Sequence, residues 1–406
     1  MNILLVSCRY YPEPFTITRI AEGLSSLGNN VTVVTGTPNS GKWKIYEGYE
    51  NVKEETINGI RVIRLKEYPR KKGVFGLIRN YSSIYFSFKK YFKKNKDRYD
   101  VVFSHVMSPV FSISEVGKYC KKNKIPHFHY GFDLWPESLI ATGYLKRWNL
   151  LFKFFKIWSK RIYEKCDLIS FASPSCEKYF KEYLKIDVPF THIYQPCLTN
   201  LDSLNWVSYS QKISNDKIHL LFCGTIAKFN HLDLLVEALN DKTLQEKLIV
   251  DIVGSGSDQK RIEKIAKKRK LNNIIFHGRV TPEETATFYS KSDAIFIPLY
   301  YNSATSLMIP QKVIESFMHG RMIVGMIKGD GKDLIARASD KNILVDQTPK
   351  SIRDGLLKLV EIPQSVFEKC GKENRLFYKE HKEFSIDFVC SKMNDLMLKL
   401  INNKNK

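Results

Sequence analysis

The chain is poor in long apolar runs, in patterned cysteines and in acidic residues. Its longest apolar runs have the length of strands and fall well short of the roughly 20 residues that a transmembrane helix needs. The 8 cysteines are scattered without CxxC spacing or histidine partners, which is typical of reduced core or loop thiols and predicts neither a metal site nor a disulfide framework. An apolar strand-like run opens the chain with no signal-like stretch before it, so we expect a cytoplasmic protein.

The shortage of acidic residues gives the chain a strong positive charge. It has 42 Asp and Glu against 64 Lys and Arg, which is a formal net charge of +22. Such a charge predicts an anionic partner, for which nucleic acid, nucleotide phosphates and anionic lipid are the candidates. Two segments, 70–98 and 144–165, interleave basic and aromatic residues. They are typical of amphipathic helices in an anionic membrane interface, and equally of core aromatics beside a solvated lysine face.

The first half of the chain predicts one α/β domain. At 406 residues the chain exceeds one ordinary core, so two domains are expected. Strand and helix patterns alternate from the apolar run at 2–7 onward, and we interpret 1–197 as a doubly wound domain. It lacks G-x-G-x-x-G after the first strand, which excludes the simplest dinucleotide fingerprint.

The second half repeats the same kind of pattern. A polar linker is predicted within 195–217, and an apolar strand at 218–223 then begins a second Rossmann-like domain over 198–380. A basic helical segment over 381–406 is predicted to pack back toward the first domain. We therefore expect an α/β protein with two Rossmann-like, doubly wound domains and a cleft between them.

The stretch 300–325 is the strongest candidate for a ligand site. Pro310 suits the first position of a helix, and Gly320 suits the position just past its end. The helix follows an apolar strand at 294–298, so the loop before it lies where open α/β sheets bind ligands. Glu315 lies about one turn into this helix. A lone glutamate there is also typical of an ordinary solvated helix position.

Two glycine-containing loops at other strand ends indicate a phosphate-bearing ligand. The loop 224–228 offers backbone donors and the ammonium of Lys228, and the loop 254–257 opens a helix whose N–H groups and dipole attract phosphate. Each loop alone is also typical of a simple turn. Together with Glu315, whose carboxylate can accept hydrogen bonds from ribose hydroxyls, they predict a nucleotide-diphosphate pocket in the second domain.

The order of these motifs resembles a known family. The second half carries FCGTIAK at 222–228, VGSG at 253–256, FHGRV at 276–280 and PQKVIE at 310–315, in the order and spacing of the family 4 glycosyltransferases of the GT-B fold. The first half adds FDLWPES at 132–138, which is similar to the branch containing amino-sugar transferases of O-antigen and capsule assembly. The resemblance covers nearly the whole chain.

The resemblance implies a retaining glycosyltransferase that is peripheral on the inner face of the plasma membrane. It would move a sugar, with N-acetylated amino sugars among the candidates, from a nucleotide-diphosphate sugar to a lipid-linked saccharide, without a cofactor or an essential metal. The leaving phosphate would accept the proton of the acceptor, so the protein would not need the close pair of carboxylates that glycosidases use.

The resemblance also implies roles for individual residues. Glu315 would bind the donor ribose, Lys228 the diphosphate, and the segment around Gly278 and Arg279 the nucleobase. The full set of implied site residues is Asp133, Lys228 and Glu315 for catalysis; Gly224, Thr225, Gly254, Gly256, Gly278, Arg279, Ser306, Leu307 and Lys312 for the donor; and Thr16, Arg19 and Glu137 for the acceptor side.

The chain departs from the family pattern in its second half. Leu307 stands where the family has the first of two glutamates, so the identity of the donor sugar is left open. Thr225 and Asn230 stand where the first loop usually has an arginine and a lysine. The cation for the diphosphate is therefore predicted to be Lys228, with Lys312 as a second candidate.

Other roles and functions stay open at this point. Asp133 and Glu137 are interpreted as ligands of the acceptor or the donor sugar, with a purely structural role as the alternative. A sugar-nucleotide epimerase or an inactive sugar-binding homologue would share the fold, and Leu307 is compatible with both. A nucleic-acid-binding protein would explain the charge and not the glycine loops, so no nucleic acid is predicted as a partner.

Overall fold

The structure is a computed structural model that describes residues 1–41, 43–71, 73–141, 143–197, 217–299 and 305–404. The chain forms two compact units, Met1–Leu198 with Ser385–Lys406, and Thr199–Phe384, which we call the first and the second unit. Most of the linker predicted at 195–217, and residues 300–304 of the candidate ligand stretch, lie outside the described residues.

The first unit is built on a mostly parallel sheet. Its described strands are β1 (Asn2–Ser7), β2 (Asn30–Gly36), β3 (Glu54–Ile57), β4 (Ile60–Leu65), β5 (Val101–Val106), β6 (His127–Gly131), β7 (Leu168–Phe171) and β8 (Phe190–His192). Their order is β3-β4-β2-β1-β5-β6-β7-β8, and only the β3/β4 pair among them is antiparallel. Every residue of β5 is buried, as expected for a parallel strand covered on both faces. The strand order reverses between β1 and β5, which is where such sheets bind ligands.

Helices cover both faces of this sheet. They are α1 (Thr16–Ser26), α2 (Gly73–Lys94), α3 (Ser114–Asn123), α4 (Glu137–Ala141), α5 (Leu150–Tyr163) and α6 (Cys176–Lys178), and a π-helical segment at Tyr179–Tyr183 follows α6. A 3₁₀ turn at Val110–Ile113 follows β5, and both α2 and α5 pack against it. The two basic and aromatic segments of the sequence are therefore neighbouring helices of the first unit.

The second unit contains a parallel sheet. Its described strands are β9 (Ile218–Cys223), β10 (Leu248–Val253), β11 (Ile274–Gly278), β12 (Ala294–Pro298), β13 (Met322–Met326) and β14 (Ile343–Leu344), in the order β11-β10-β9-β12-β13-β14. The helices are α7 (Leu232–Ala238), α8 (Lys242–Lys247), α9 (Gln259–Lys268), α10 (Pro282–Lys291), α11 (Gln311–His319), α12 (Asp330–Ala338), α13 (Pro349–Val360) and α14 (Gln364–Glu380). The strand order reverses between β9 and β12, so the loops after these two strands flank the usual ligand position.

Helix α11 confirms the predicted helix end and corrects its start. Gly320 has φ 60° and ψ 51°, the left-handed geometry that favours glycine just past a helix. Pro310 was predicted to be the first helical residue, but its ψ of 139° places it outside the helix, which begins at Gln311. The start is shifted because Pro310 remains extended and serves as the residue before the first turn.

The last helix belongs to the first unit and packs on α1. This helix, α15 (Ile386–Lys404), buries Met393 and Met397 completely. The Cys390 thiol donates to the carbonyl of Ile20, and a Cβ on Gly23 would lie 2.4 Å from the Cys390 sulfur. The absence of a side chain at Gly23 therefore allows α1 and α15 to approach closely.

Candidate active site

The centre of the candidate site is a charged pair on α11. Lys312 and Glu315 lie three residues apart, on neighbouring positions of one helix face, and both side chains are half-buried. Burial raises the pKa of the Glu315 carboxyl to about 7, and the Lys312 ammonium limits that rise. Burial lowers the pKa of Lys312 to about 8, against the attraction of Cys223 and Glu315. Glu315 is thus no ordinary solvated helix residue.

Lys312 reaches the glycine loop that follows β9. Its Nζ lies 3.2 Å from the position that a Cβ on Gly224 would occupy, and 4.5 Å from the centre of the Phe222 ring. Gly224 has φ 146°, a conformation that side-chain-bearing residues rarely adopt. The ammonium therefore lies over the carboxyl end of the central strand, where it can meet a phosphate group. Lys228 differs, because it is exposed in a 3₁₀ turn at Lys228–Asn230.

The three loops after β9, β10 and β11 interlock through their backbones. The Gly254 N–H donates to the carbonyl of Gly278 over 2.7 Å, and a Cβ on Gly254 would lie 1.9 Å from the carbonyl oxygen of Gly224. A Cβ on Gly256 would lie 2.1 Å from the carbonyl oxygen of Ile226. The glycines are required here because backbone meets backbone with no room for a side chain.

This interlocking gives the loop 254–257 a packing role beside its predicted one. The prediction was that these residues open a helix and offer N–H groups to phosphate. Helix α9 begins only at Gln259, the Gly254 N–H is already bonded, and the Ile226 carbonyl accepts the N–H of Asp258. Gly254 and Gly256 shape the site by letting the loops approach each other.

Asn230 was interpreted from the sequence only as a missing lysine, and the structure gives it a role. Its side chain is buried, and its amide donates to the carbonyl of Thr225 over 2.6 Å. Thr225 itself is exposed at the tip of the loop. Asn230 therefore fixes the loop that carries Gly224. A short polar residue shortly after a glycine loop is the sequence signal that could have identified this clamp.

The loop proposed for the nucleobase carries a second feature that the sequence did not reveal. Gly278 has φ 72° with open space beside it, and Arg279 is exposed. Just before them, His277 Nε2 lies 2.7 Å from Asp251 Oδ1, and His219 Nδ1 lies 3.0 Å from Asp251 Oδ2. Burial acts to raise the pKa of Asp251, but these hydrogen bonds lower it overall. The bridge ties β9, β10 and β11 together beneath the loop.

The segment before α11 approaches a further glycine. Ser306 and Leu307 lie in a 3₁₀ turn at Thr305–Leu307, and both are half-buried. Gly329 has φ 63°, and a Cβ there would lie 1.9 Å from the carbonyl oxygen of Ser306. Leu307, where the family has a carboxylate, therefore adds an apolar side chain and no charge to this segment.

Asp133 lies at the carboxyl end of β6 in the first unit. Its Oδ2 accepts a hydrogen bond from the Ser108 hydroxyl over 2.8 Å, and its side chain is half-buried. Burial raises the pKa of Asp133 to about 6, and the Ser108 hydrogen bond opposes that rise. Because Ser108 follows β5, Asp133 lies beside the switch point of the first sheet.

The other predicted acceptor-side residues have partners within the first unit. Glu137 is 1% exposed and forms an ion pair with Arg147 over 2.8 Å. Thr16 is buried and accepts a hydrogen bond from Gln195. Arg19 is half-exposed on α1, near Glu22. Among the described residues, no hydrogen bond or ion pair brings Thr16, Arg19 or Glu137 to Asp133.

A buried ion network at the end of β1 was not predicted. Arg9 lies 3.1 Å from Glu67 and 3.8 Å from Glu13, and both carboxylates are almost fully buried. Glu13 also accepts the backbone N–H groups of Asn39 and Ser40. These contacts fix the loops after β1, β2 and β4, which frame the edge of the sheet.

The described residues hold no cluster of three or more His, Cys, Asp or Glu side chains that could bind a metal ion. All eight cysteines are free thiols, and Cys223 beside Lys312 is the one that is only half-buried. In the part of the chain that the structure describes, helices long and apolar enough to cross a bilayer are lacking.

Comparison with known sequences gives two relatives, one that aligns with part of the chain and one that aligns with nearly all of it. The chain is 24% identical over 266 residues to an uncharacterized glycosyltransferase of Methanocaldococcus jannaschii, an alignment that spans 64% of this chain and 65% of that protein. It is 20% identical over 411 residues to the O-antigen chain mannosyltransferase C of Escherichia coli, which covers 98% of both.

A solved structure and two family models complete the comparison. The Anabaena protein Alr3699/HepE, crystallised with UDP and glucose, has a TM-score of 0.70 at 10% identity, over 98% of this chain and 100% of that one. The model described as Glycosyltransferase Family 4 matches residues 15–196, and the one described as Glycosyl transferases group 1 matches residues 208–377. Together the two models span most of the chain. The chain therefore belongs to the glycosyltransferases that these models describe, and it has the GT-B fold, as its motifs indicated.

Proposed function

We propose that the protein transfers a sugar from a nucleotide-diphosphate sugar to a lipid-linked saccharide in the synthesis of a bacterial surface polysaccharide, with retention at the anomeric carbon. The observation that carries the proposal is the Lys312 and Glu315 pair beside the Gly224 loop, at the switch point of the second sheet. An ammonium and a carboxylate at that position match the diphosphate and the ribose of a nucleotide. The UDP and glucose in the Anabaena structure support this class of donor.

Lys312 supplies the charge that departure of the diphosphate requires. With a pKa near 8 it is largely cationic at neutral pH, and a bound phosphate would raise that pKa further. A preorganised cation at the leaving group stabilises the transition state without a divalent metal. The leaving phosphate then takes the proton of the acceptor hydroxyl. Metal-independent transfer with a phosphate-assisted proton path is the mechanism we propose.

The donor sugar is proposed to be a hexose or an N-acetylhexosamine. Leu307 cannot accept a hydrogen bond from a sugar hydroxyl, and its apolar side chain is compatible with the methyl of an acetamido group. The relative named as an O-antigen chain mannosyltransferase supports the hexose and the polysaccharide context. The same residue is the observation that favours a second candidate, a sugar-nucleotide epimerase or an inactive sugar-binding homologue.

A broad apolar surface on the first unit supports a membrane partner. Large exposed side chains project from α2, from α5 and from the residues before α5; Phe75 is 91% exposed and Leu150 is 80% exposed. We call this surface the α2–α5 face. It comprises Val74, Phe75, Ile78, Phe86, Trp148, Leu150, Leu151, Phe154 and Ile157.

Phe111 contacts aromatic rings of both helices that carry the α2–α5 face. The Tyr85 ring of α2 lies 6.3 Å from the Phe111 ring, and the Trp158 ring of α5 stacks on it at 5.0 Å. The opposite side of each helix is packed, since Phe88 and Phe152 are buried. Part of the aromatic residues of these segments therefore lie in the core and part on the surface, and the exposed part supports the proposal of a membrane partner.

The charge around this face matches anionic lipid. Residues 70–98 carry ten Lys or Arg and a single acid, Asp97. Exposed aromatic and aliphatic side chains beside lysines are suited to the headgroup region of an anionic leaflet. We therefore propose that the protein is peripheral on the inner face of the plasma membrane, where lipid-linked acceptors are available. Phosphates and lipid account for the charge without nucleic acid.

A ligand screen followed by a transfer assay tests the proposal. Nucleotide sugars are screened by thermal shift, because a ligand that binds only the folded state raises its apparent stability. The stabilising donor is then incubated with membranes that carry lipid-linked saccharide, and the anomer of the product is determined by NMR, with and without EDTA. We expect transfer with retention that EDTA does not reduce. Loss or epimerisation of the donor without a transfer product would favour the second candidate.

Glu315→Ala is the matched variant for this assay, and Glu368→Ala is its control. Glu368 is also a helical glutamate of the second unit, paired with Lys372 on α14. We expect Glu315→Ala to lose the donor-induced thermal shift while its own melting temperature stays close to the wild type, since among the described residues no cationic group lies within ion-pair distance of the Glu315 carboxylate and Lys312 acts on it only from farther away. Donor affinity at the wild-type level in this variant would contradict the assignment of Glu315.

A further inference from the structure

A row of hydrogen bonds ends on Asp133. The indole Nε1 of Trp135 donates to Ser108 Oγ over 3.1 Å, and the Ser108 hydroxyl donates to Asp133 Oδ2 over 2.8 Å. A serine hydroxyl has one hydrogen to donate. Because the indole N–H can only donate, it occupies a lone pair of Ser108 and leaves that hydrogen for the carboxylate.

Trp135 is itself fixed in place. It is 2% exposed, and its ring meets the rings of Phe111 and Phe155 edge-on at 5.6 and 5.3 Å. Packing against these two rings therefore restricts the rotation of the indole. The direction of the Ser108 hydroxyl follows from this packing, and the orientation of the Asp133 carboxylate follows from the hydroxyl.

We infer that Ser108 and Trp135 are positioning residues for the acceptor, which hold Asp133 as an oriented carboxylate that accepts a hydrogen bond from an acceptor sugar hydroxyl. The inference rests on the proposed transferase function and adds residues to its acceptor side. Tyr81 lies beside Asp133, close enough for the carboxylate to raise the pKa of its phenol, and its ring approaches Phe111. A carboxylate next to an aromatic side chain is a suitable surface for a saccharide, which offers hydroxyls and C–H faces.

Asp133 is the member of this hydrogen-bonded row whose charge changes near neutral pH, and the titratable groups around it differ in this respect. Tyr81 on α2 and Tyr163 on α5 face it, and burial raises the pKa of both phenols, that of Tyr81 to about 12. The charges of Arg70 and Arg9 act on Tyr81 and oppose the rise in its pKa. The Ser108 hydrogen bond favours the ionised carboxylate, so its removal should raise the pKa of Asp133 above about 6.

The test compares Ser108→Ala with Ser112→Ala. Ser112 is a buried serine of the 3₁₀ turn that follows Ser108. Its hydroxyl donates to the Pro109 carbonyl and accepts from the Cys8 thiol, so its partners include no carboxylate. Initial rates are measured from pH 5 to 9 at saturating donor, and kcat/KM for the lipid-linked acceptor is plotted against pH. Glu315 and Lys312 also titrate in this range, but they are unchanged in every variant.

We expect Ser108→Ala to move the acidic limb of the profile upward by about one pH unit, the effect of losing one hydrogen bond to a charged group. The acceptor kcat/KM should then fall by about twofold at pH 7 and by about tenfold at pH 5, where both forms lie on the acidic limb, with the donor KM unchanged. Ser108→Thr keeps the hydroxyl and should restore the wild-type limb, and Ser112→Ala should leave it in place. Trp135→Phe keeps an aromatic ring, removes the N–H and should give a smaller shift in the same direction.

Three results would overturn the inference. One is an acidic limb that does not move in Ser108→Ala while the transfer rate falls, since a structural role alone would give that pattern. Another is an equal loss in Ser112→Ala, which would assign the effect to the loop. The third is an unchanged limb in Trp135→Phe where Ser108→Ala does not fold. Absence of transfer by the wild-type protein would instead refute the proposed function, and the inference with it.

Discussion

The polar edges of the two sheets differ in whether backbone atoms or side chains form them. In the second unit, backbone atoms do most of the construction: the loops carrying Gly224, Gly254 and Gly256 interlock with no space for side chains, and Lys312 and Glu315 complete the site. In the first unit, side chains do it, through the Arg9 ion network and the hydrogen-bonded row that ends on Asp133. A backbone-built site suits a ligand part that is the same in many proteins, such as a nucleotide diphosphate. A side-chain-built site can be changed by single substitutions, which suits a variable acceptor.

The largest effect is expected where the backbone-built site depends on one charge. Lys312→Met should reduce transfer by roughly 100- to 1,000-fold, because it removes the cation nearest to the proposed leaving group. Steady-state kinetics with the identified donor measure this loss. Lys228→Met is the matched variant, since it removes the other predicted cation from an exposed position, and we expect a loss below about tenfold.

The opposite ranking of these two lysines would refute the assignment. If Lys228→Met were the more damaging change, the diphosphate would be bound by the tip of the first loop and not by α11. Lys312→Arg adds a second check, because it keeps the charge in a larger group beside Phe222. It should retain more activity than Lys312→Met.

A second contrast between the units concerns lipid. Phe75→Ser with Phe154→Ser should weaken binding to vesicles of phosphatidylglycerol and phosphatidylethanolamine by about 10-fold or more per residue, because each phenyl ring buries apolar area in the interface. Leu376→Ser is the control, since Leu376 is 54% exposed on α14 of the second unit. Sedimentation with vesicles measures the partitioning. An equal loss in the control would assign the effect to general surface hydrophobicity.

The charge of the same surface can be tested separately. Replacing Lys89, Lys90, Lys93 and Lys94 with Glu should weaken sedimentation with anionic vesicles and should do so less at high salt, where the attraction is screened. Unchanged partitioning would favour the other interpretation of α2, in which its lysines are a solvated face and its aromatic residues belong to the core.

The same difference between the backbone-built and the side-chain-built site explains what could be predicted from the sequence. The strands, the glycine loops and the position of Glu315 follow from local patterns, since glycine and periodic apolar residues act through the backbone. The approach of the Lys312 ammonium to Gly224, with Lys228 exposed, could not be foreseen, because it depends on how α11 packs over Gly224. Likewise, the pairing of Glu137 with Arg147 and the Ser108 row depend on partners distant in the chain.

Buried histidines predict that acid weakens the first unit more than the second. Burial lowers the pKa of His105 and His127 to about 4 and that of His129 well below its ordinary value, and in the second unit it lowers that of His319 to about 3. The unfolded chain protonates near pH 6.5 and the folded chain does not, so stability is lost as pH falls below 6.5. His105, His127 and His319 then each cost roughly 2 kcal/mol at pH 5, and His129 destabilises the folded state in the same direction.

Hydrogen exchange at pH 7 and pH 5, corrected for the intrinsic rates, checks this difference between the units. Protection should fall more in β5 and β6 than in β9 and β12, since three of the four histidines lie in the first unit. A larger loss in the second unit would mean that carboxylates, and not the histidines, control the acid response.

The smallest predicted effect separates the shape of the backbone-built site from its charge. Asn230→Ala removes the side chain that fixes the Thr225 carbonyl, without altering any charge in the site. One hydrogen bond of this kind is worth about 1 kcal/mol, so the donor KM should rise by roughly fivefold with little change in kcat. Asn240→Ala, at an exposed position after α7, is the control and should leave both constants unchanged. A fall in kcat comparable to that of Lys312→Met would show that the loop, rather than the ammonium, positions the leaving diphosphate.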